Sequence, residues 1–328
     1  MGIARAARKA PRPAPGEPRP ACAAADATFR AGATSASGMA PTLPDLLAAL
    51  DPRPAGADRF LGFSDAPNRR RVFGGLVVAQ ALVAAARTAA GRPVHSLHAY
   101  FMRPGHPGTP IAYAVERSRD GGSFTTRRCL ASQGGKAIFA MSASFHHPEA
   151  GALDHAAAMP DVPPPESLPA PADVRAGRAG PLPAAVAAYF GRDAAVELRP
   201  SDLSRFARSG PGPGPTGSAV WMRVVAPVPD DPVLHAALLA YMSDMTLLDT
   251  AFAAHNRSVF DPDIQAASLD HALWFHRPAR ADEWLLYAQD SPSAFGARGF
   301  ARGTVFGRSG SLVASVAQEG LCRRRPPG

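Results

Sequence analysis

"SLDHALWFHRP" at residues 268–278 echoes "SLHAYFMRP" at residues 96–104, and the stretches after the two copies are alike as well. After the first come "IAYAVERSRD" (111–120), "SFTTRRCLASQ" (123–133) and "KAIFAMSASF" (136–145), separated by "RPGHPG", "DGG" and "GG". After the second come "EWLLYAQD" (283–290), "ARGFARGTVFG" (297–307) and "SLVASVAQEGL" (311–321). Short, β-branched and aromatic runs punctuated by glycine and proline turns predict antiparallel strands. At a shift of 174 residues Phe101 falls on Phe275, Arg103 on Arg277, Pro104 on Pro278, Tyr113 on Tyr287, Gly122 on Gly296, Arg128 on Arg302 and Ala140 on Ala314. Agreement in strand length and turn position along an ungapped stretch implies an internal duplication.

A helical run precedes each sheet. "GGLVVAQALVAAA" (74–86) is apolar on nearly every side, which describes a helix wrapped by other structure. "VLHAALLAYMSDMTLLDTAFAA" (233–254) is expected to be its counterpart. Each copy is therefore one helix plus one antiparallel sheet, and two such units in one chain are expected to pack as a pseudo-twofold dimer. The segment 149–182, including "PDVPPPESLPAPADV", is too rich in proline for a sheet interior and reads as a linker. The division is a leader 1–38, a first unit 39–148, the linker 149–182, a second unit 183–322 and a basic tail 323–328.

Composition narrows the function classes. The chain has 328 residues and a net charge of +8, but six basic and two acidic residues fall in the first 38, and the remainder has no basic patch interleaved with aromatics. Nucleic-acid binding is not expected. Uncharged apolar runs of membrane-spanning length are missing, so no membrane partner is expected. The three cysteines, Cys22, Cys129 and Cys322, are far apart and match no zinc spacing, which fits a reducing cytoplasm and implies neither metal nor cofactor. The Ala-, Arg- and Pro-rich leader has no apolar period and is expected to be disordered. It reads as an over-extended start, since Met39 opens better-patterned sequence, or as a transit peptide.

The pieces "VFGGLVVAQAL", "VHSLHAYFMRPG", "DGGSFTTRR", "IFAMSASF", "LAYMSD", "SLDHALWFHRP", "EWLLY", "ARGFARG" and "LVASVAQEG", in that order between Leu43 and Leu321, resemble the acyl-CoA thioesterase II family. That resemblance implies an α+β double hotdog, with hydrolysis of fatty acyl-CoA to free acid and CoA. It also implies a catalytic carboxylate at Asp244 of "YMSD", a hydroxyl at Ser268, where the family more usually has Thr, and an amide at Gln318 before Glu-Gly. Pairing of hotdog sheets makes a homo-oligomer the expected assembly.

The residues themselves support this reading. Asp244 interrupts an apolar helical stripe with Ala240, Tyr241, Leu247 and Leu248 around it, and a buried carboxylate needs polar partners. Gln318 comes after Leu312, Ala314 and Val316 at period two, on the face expected to point toward the helix or else at the strand's solvated end. A thioester needs no strongly acidic proton donor, because the departing thiol has a pKa near ~8.5. What it needs is an aligned water. Gly74 and Gly75 at a helix N-terminus are candidate oxyanion donors, or else a tight turn for close packing. Arg71, in the run 69–71, is a candidate for the CoA phosphates. No GxSxG motif is present, so a serine-acyl mechanism is not supported.

Two other readings stay open. A hotdog hydratase or dehydratase would use His271, which the alternation places on the opposite strand face from Ser268, among Leu269, Leu273 and Phe275, as a packed core residue. A non-catalytic acyl-CoA binder would bind without releasing thiol. At the shift of 174, Gln318 falls on Ser144 and the first helix has no carboxylate, so one competent site per chain is expected.

Overall fold

A computed structural model describes residues 41–64, 71–151, 153–207 and 212–325. The leader, Arg69, Arg70 and the end of the basic tail lie outside the described residues.

The first half runs α1 (Leu43–Ala49), β1 (Arg53–Pro54), β2 (Arg59–Gly62), α2 (Gly74–Ala86), β3 (Val94–Phe101), β4 (Ile111–Asp120), β5 (Phe124–Gln133) and β6 (Lys136–His146). A short connecting helix, α3 (Pro171–Arg175), lies in the proline-rich segment. The second half then repeats the order with α4 (Ala184–Phe190), β7 (Val196–Pro200), β8 (Gly217–Val224) and α5 (Pro232–Ser243). It adds α6 (Thr250–Ala253), then continues with β9 (Ile264–Ser268), β10 (Asp270–Phe275), β11 (Leu285–Phe295), β12 (Arg298–Gly307) and β13 (Leu312–Arg324).

All strands join one 13-stranded sheet in the order β1-β2-β4-β5-β6-β3-β10-β13-β12-β11-β8-β7, with β9 paired beside β10 on β13. The sequence of equivalent strands is the same read inward from either edge. The seam is the antiparallel pair β3–β10, in which His98 faces Ala272, its own counterpart at a shift of 174. The pseudo-twofold axis therefore passes through that residue pair. Each half is the helix-plus-antiparallel-sheet unit expected of a double hotdog.

Burial explains the helices. From Gly75 to Ala86 every residue of α2 is buried, which only small and aliphatic side chains allow. Pro232 at N1 and the Asp231 side chain, which accepts from the Val233 N–H at 2.8 Å, start α5. The beginning of α2 lies against the end of α5: a Cβ on Gly75 would come within 2.6 Å of the Tyr241 carbonyl oxygen. Gly75 thus serves close helix packing.

Four sequence expectations change. The run 233–254 is not one helix, since α5 stops at Ser243, Asp244 is its C-cap, and residues 245–263 make an excursion through a 3-10 turn and α6 that the first half lacks. The ungapped shift holds for β4 with β11 and β5 with β12 but not for the last strand. Arg127 faces Ala143 in the first half and Ala301 faces Gln318 in the second, an offset of 175 (318 − 143). One additional residue in the β12–β13 turn is the cause, replacing the two-residue Gly134-Gly135 turn with a longer loop. The counterpart of Gln318 is Ala143, not Ser144, and Ala314 is matched by Phe139 rather than Ala140. Finally, the proline-rich segment is more than a spacer. Met159, Val162 and Leu168 pack on Trp221, Trp284, Leu286 and Phe306 on the outer face of the second half's sheet, and the Trp221 indole donates to the Pro163 carbonyl at 2.9 Å.

Candidate active site

Asp244 leaves the end of α5 with φ −90° and ψ −1°, so its main chain turns away while its side chain, 4% exposed, points inward. The Gln318 amide donates to Asp244 Oδ1 at 2.6 Å, and the Ser268 hydroxyl approaches the same oxygen at 3.3 Å. Gln318 is fully buried. Of its two amide atoms, only the NH2 can face a carboxylate favourably, which leaves Oε1 as a buried acceptor without a protein partner among the described residues. The second carboxylate oxygen faces the N-terminus of α2. A Cβ at Gly74 would lie 2.7 Å from Oδ2 and 3.0 Å from the Phe101 ring, so only glycine fits. The first-turn N–H groups of a helix have no intrahelical acceptors and carry a partial positive charge, which favours an anion there.

His271 also comes to this carboxylate, with Nδ1 4.0 Å from Oδ1, contrary to the alternation that put it opposite Ser268. The reason is a β-bulge. Gly320 faces Ser268 while Ala317 faces Ala272, so one residue of the 268–272 stretch, Leu269, is left over between β9 and β10. That extra residue reverses the inward–outward alternation and turns Ser268 and His271 to the same side. His271 is fully buried, and its Nε2 lies 2.9 Å from the Ser243 hydroxyl, which donates to the Ala240 carbonyl at 2.9 Å. Burial holds the His271 pKa below its ordinary value despite the nearby Asp244 and Asp270 carboxylates, so the ring is neutral at pH 7. The Tyr287 hydroxyl donates to the Ser243 carbonyl at 3.1 Å, and burial, then Asp244, push its pKa well up.

The site is thus a buried carboxylate without a cationic partner among the described residues, stabilised by one amide, one hydroxyl and one helix N-terminus. That arrangement suits a proton acceptor. Thiol nucleophiles are disfavoured, since burial pushes Cys129 up to about 12 and Cys322 to about 11. No cluster of three or more metal-ligating side chains occurs among the described residues. Arg71 is exposed and donates to the Ala266 carbonyl at 2.8 Å, two residues from Ser268.

The structure brings together Asp244, Ser268, Gln318 and Gly74; Gly75 sits one step away in the helix contact. The His271–Ser243–Tyr287 string was not visible in the sequence. The sequence singles out His271 alone; its links to Ser243 and Tyr287 depend on register.

Such a fold defines the double-hotdog class. Comparison narrows the class: residues 202–321 match the family described as acyl-CoA thioesterase, and residues 64–146 match the acyl-CoA thioesterase N-terminal domain. The human protein acyl-coenzyme A thioesterase 8 is 37% identical over 84% of this chain and 88% of its own. Acyl-CoA thioesterase 2 of Haemophilus influenzae is 37% identical over 80% of this chain and 92% of its own. The crystal structure of an acyl-CoA thioesterase II from Mycobacterium marinum superposes with a TM-score of 0.70 at 42% identity, covering 85% of this chain and 98% of that one. The chain belongs to the acyl-CoA thioesterase II family and is a thioester hydrolase acting on acyl-CoA. Among the described residues no helix is long and apolar enough to cross a membrane.

Proposed function

We propose that this protein hydrolyses fatty acyl-CoA by direct attack of water, with Asp244 as the general base and Ser268 and Gln318 holding the water in line. The observation that carries this reading is the convergence of the Gln318 amide and the Ser268 hydroxyl on one oxygen of a buried carboxylate beside a helix N-terminus. Gln318 Oε1 and the Asp244 carboxylate are both acceptors, so a water between them is gripped by its hydrogens and presents a lone pair outward.

The water oxygen bonds to the thioester carbonyl carbon as one O–H proton passes to Asp244. The developing oxyanion is met by the free N–H groups of the first turn of α2, at Gly74 and Gly75. Collapse of the tetrahedral species breaks the C–S bond. The thiolate leaves with the electron pair and takes the proton back from Asp244, giving free acid and CoA. Arg71, anchored near the strand that carries Ser268, is assigned to the CoA phosphates through charge-assisted contacts.

The test is release of free thiol from acyl-CoA by wild type and by Asp244→Asn, with circular dichroism to confirm folding. Thiol release in wild type that disappears in the variant supports the reading; equal rates in both remove Asp244 from the chemistry.

A further inference from the structure

Two cavities lie next to each other beside the end of α5. The first, about 150 Å³, is lined by Phe73, Tyr241, Val196, Tyr189, Met245 and Arg192 among others. Phe73 and Met245 are the chain neighbours of Gly74 and Asp244, so this cavity adjoins the reacting groups. The second, about 90 Å³, is walled by Phe190, Phe206, Phe260, Val220, Tyr189 and Met245 together with polar residues, the Arg205–Asp249 ion pair and Gln289 among them. Tyr189 and Met245 line both cavities.

Tyr189 is fixed where it stands. Its hydroxyl donates to the Met245 carbonyl at 3.0 Å, its ring lies edge-on to Phe190 at 5.0 Å and tilted against Phe260 at 5.1 Å, and the Arg192 guanidinium sits 3.7 Å over the ring. Arg192 also donates to the Tyr189 carbonyl at 2.6 Å. A ring restrained from several directions is a partition rather than a swinging side chain.

Resting on the acyl-CoA hydrolase reading above, we infer that the two cavities are successive chambers for the acyl chain and that Tyr189 is the residue that sets how long a chain is accepted. The first chamber takes the carbons next to the thioester. The aromatic second chamber is shut off by the Tyr189 ring. Because the ring is bonded to the residue after Asp244, a chain pressing on it also strains the position of the base, so overlong chains lose rate as well as affinity.

The test is kcat/KM for short-, medium- and long-chain saturated acyl-CoAs, by free-thiol release, in wild type, Tyr189→Ala, Tyr189→Leu and Tyr189→Phe. In Tyr189→Ala the long-to-short ratio is expected to rise by about tenfold or more, since each further buried methylene strengthens binding roughly fourfold. Tyr189→Leu should fall between, and Tyr189→Phe, which keeps the ring, should retain the wild-type ratio. The same ratio is read as Kd by calorimetry on Asp244→Asn with and without Tyr189→Ala, so that lost chemistry and a misassigned chamber are told apart. An unchanged ratio in folded Tyr189→Ala and Tyr189→Leu, by rate and by binding, overturns the inference while leaving the hydrolase reading intact. Absence of thiol release from every chain length in wild type overturns the hydrolase reading instead, and the binding ratio then decides the chambers alone.

Discussion

The two halves share strand order and helix placement, yet corresponding corners contain opposite chemistry. In the second half Ser268, His271 and Gln318 surround Asp244. Their counterparts by ladder register are Val94, Leu97 and Ala143, all apolar. Beside Ala143 stands Arg127, where the second half has Ala301 beside Gln318. Arg127 is almost wholly buried, donating to the Thr88 hydroxyl and the Thr88 carbonyl at 2.8 Å each, with Asp120 at 2.5 Å as its ion-pair partner. One fold therefore carries a polar corner around a buried carboxylate in one copy and a buried arginine in the other. Hotdog geometry supplies a corner that can be filled with polar groups; the chemistry depends on which ones.

The sharpest way to break this comparison is Asp244→Asn, expected to lower kcat by about 10³-fold, the usual worth of a general base, in a free-thiol assay. Next, Gln318→Ala should cost about 10²-fold in kcat, and adding Ala143→Gln to the first half should recover none of it, because Arg127 occupies that corner. A recovery would show the first half to be competent. Third, Arg127→Met should lower stability by about 2 kcal/mol in urea unfolding, since the buried Thr88 hydroxyl and carbonyl lose their donor, with kcat/KM of the folded protein retained. Ser268→Ala should reduce kcat by about tenfold, and Ser268→Thr should restore or exceed wild type, since the added methyl restricts the rotamer without removing the hydroxyl.

The smallest effect concerns acid stability. His271 is held below its ordinary pKa by burial, so the folded state resists a proton that the unfolded state accepts. Stability contributed by the neutral ring is complete above the unfolded value of about 6.5 and is lost as pH falls from there toward the folded value, at up to about 1.4 kcal/mol per pH unit. His95 and His276, also held low by burial, act in the same direction. Urea midpoints between neutral and mildly acid pH should fall less steeply in His271→Gln than in wild type; identical slopes would show that His271 does not carry the effect.

Much of this was legible because two kinds of pattern are local. Strand lengths and glycine turns revealed the duplication, and a carboxylate in an apolar run drew attention to Asp244. What was hidden depends on register. The end of α5 at Ser243 looks in sequence like any point in an apolar helix. Leu269 carries no mark of a bulge, yet it decides that Ser268 and His271 face one way. A single extra residue in the β12–β13 turn was invisible to an alignment resting on thin identity, and it moved the partner of Gln318 from Ser144 to Ala143. Arg127 is different. Strict alternation in "FTTRRCLASQ" puts it inward with Thr125, Cys129 and Ala131, so its burial could have been read, and only the habit of placing arginine outside argued against it.

The seam at His98 and Ala272 joins both copies into one chain and one sheet. In a dimer of identical subunits any substitution occurs twice, so a guanidinium placed in one corner would also have entered the other. Fusion removes that coupling. Each corner is then free to change by itself, and a buried arginine can settle into one half of the molecule without altering the polar corner of the other.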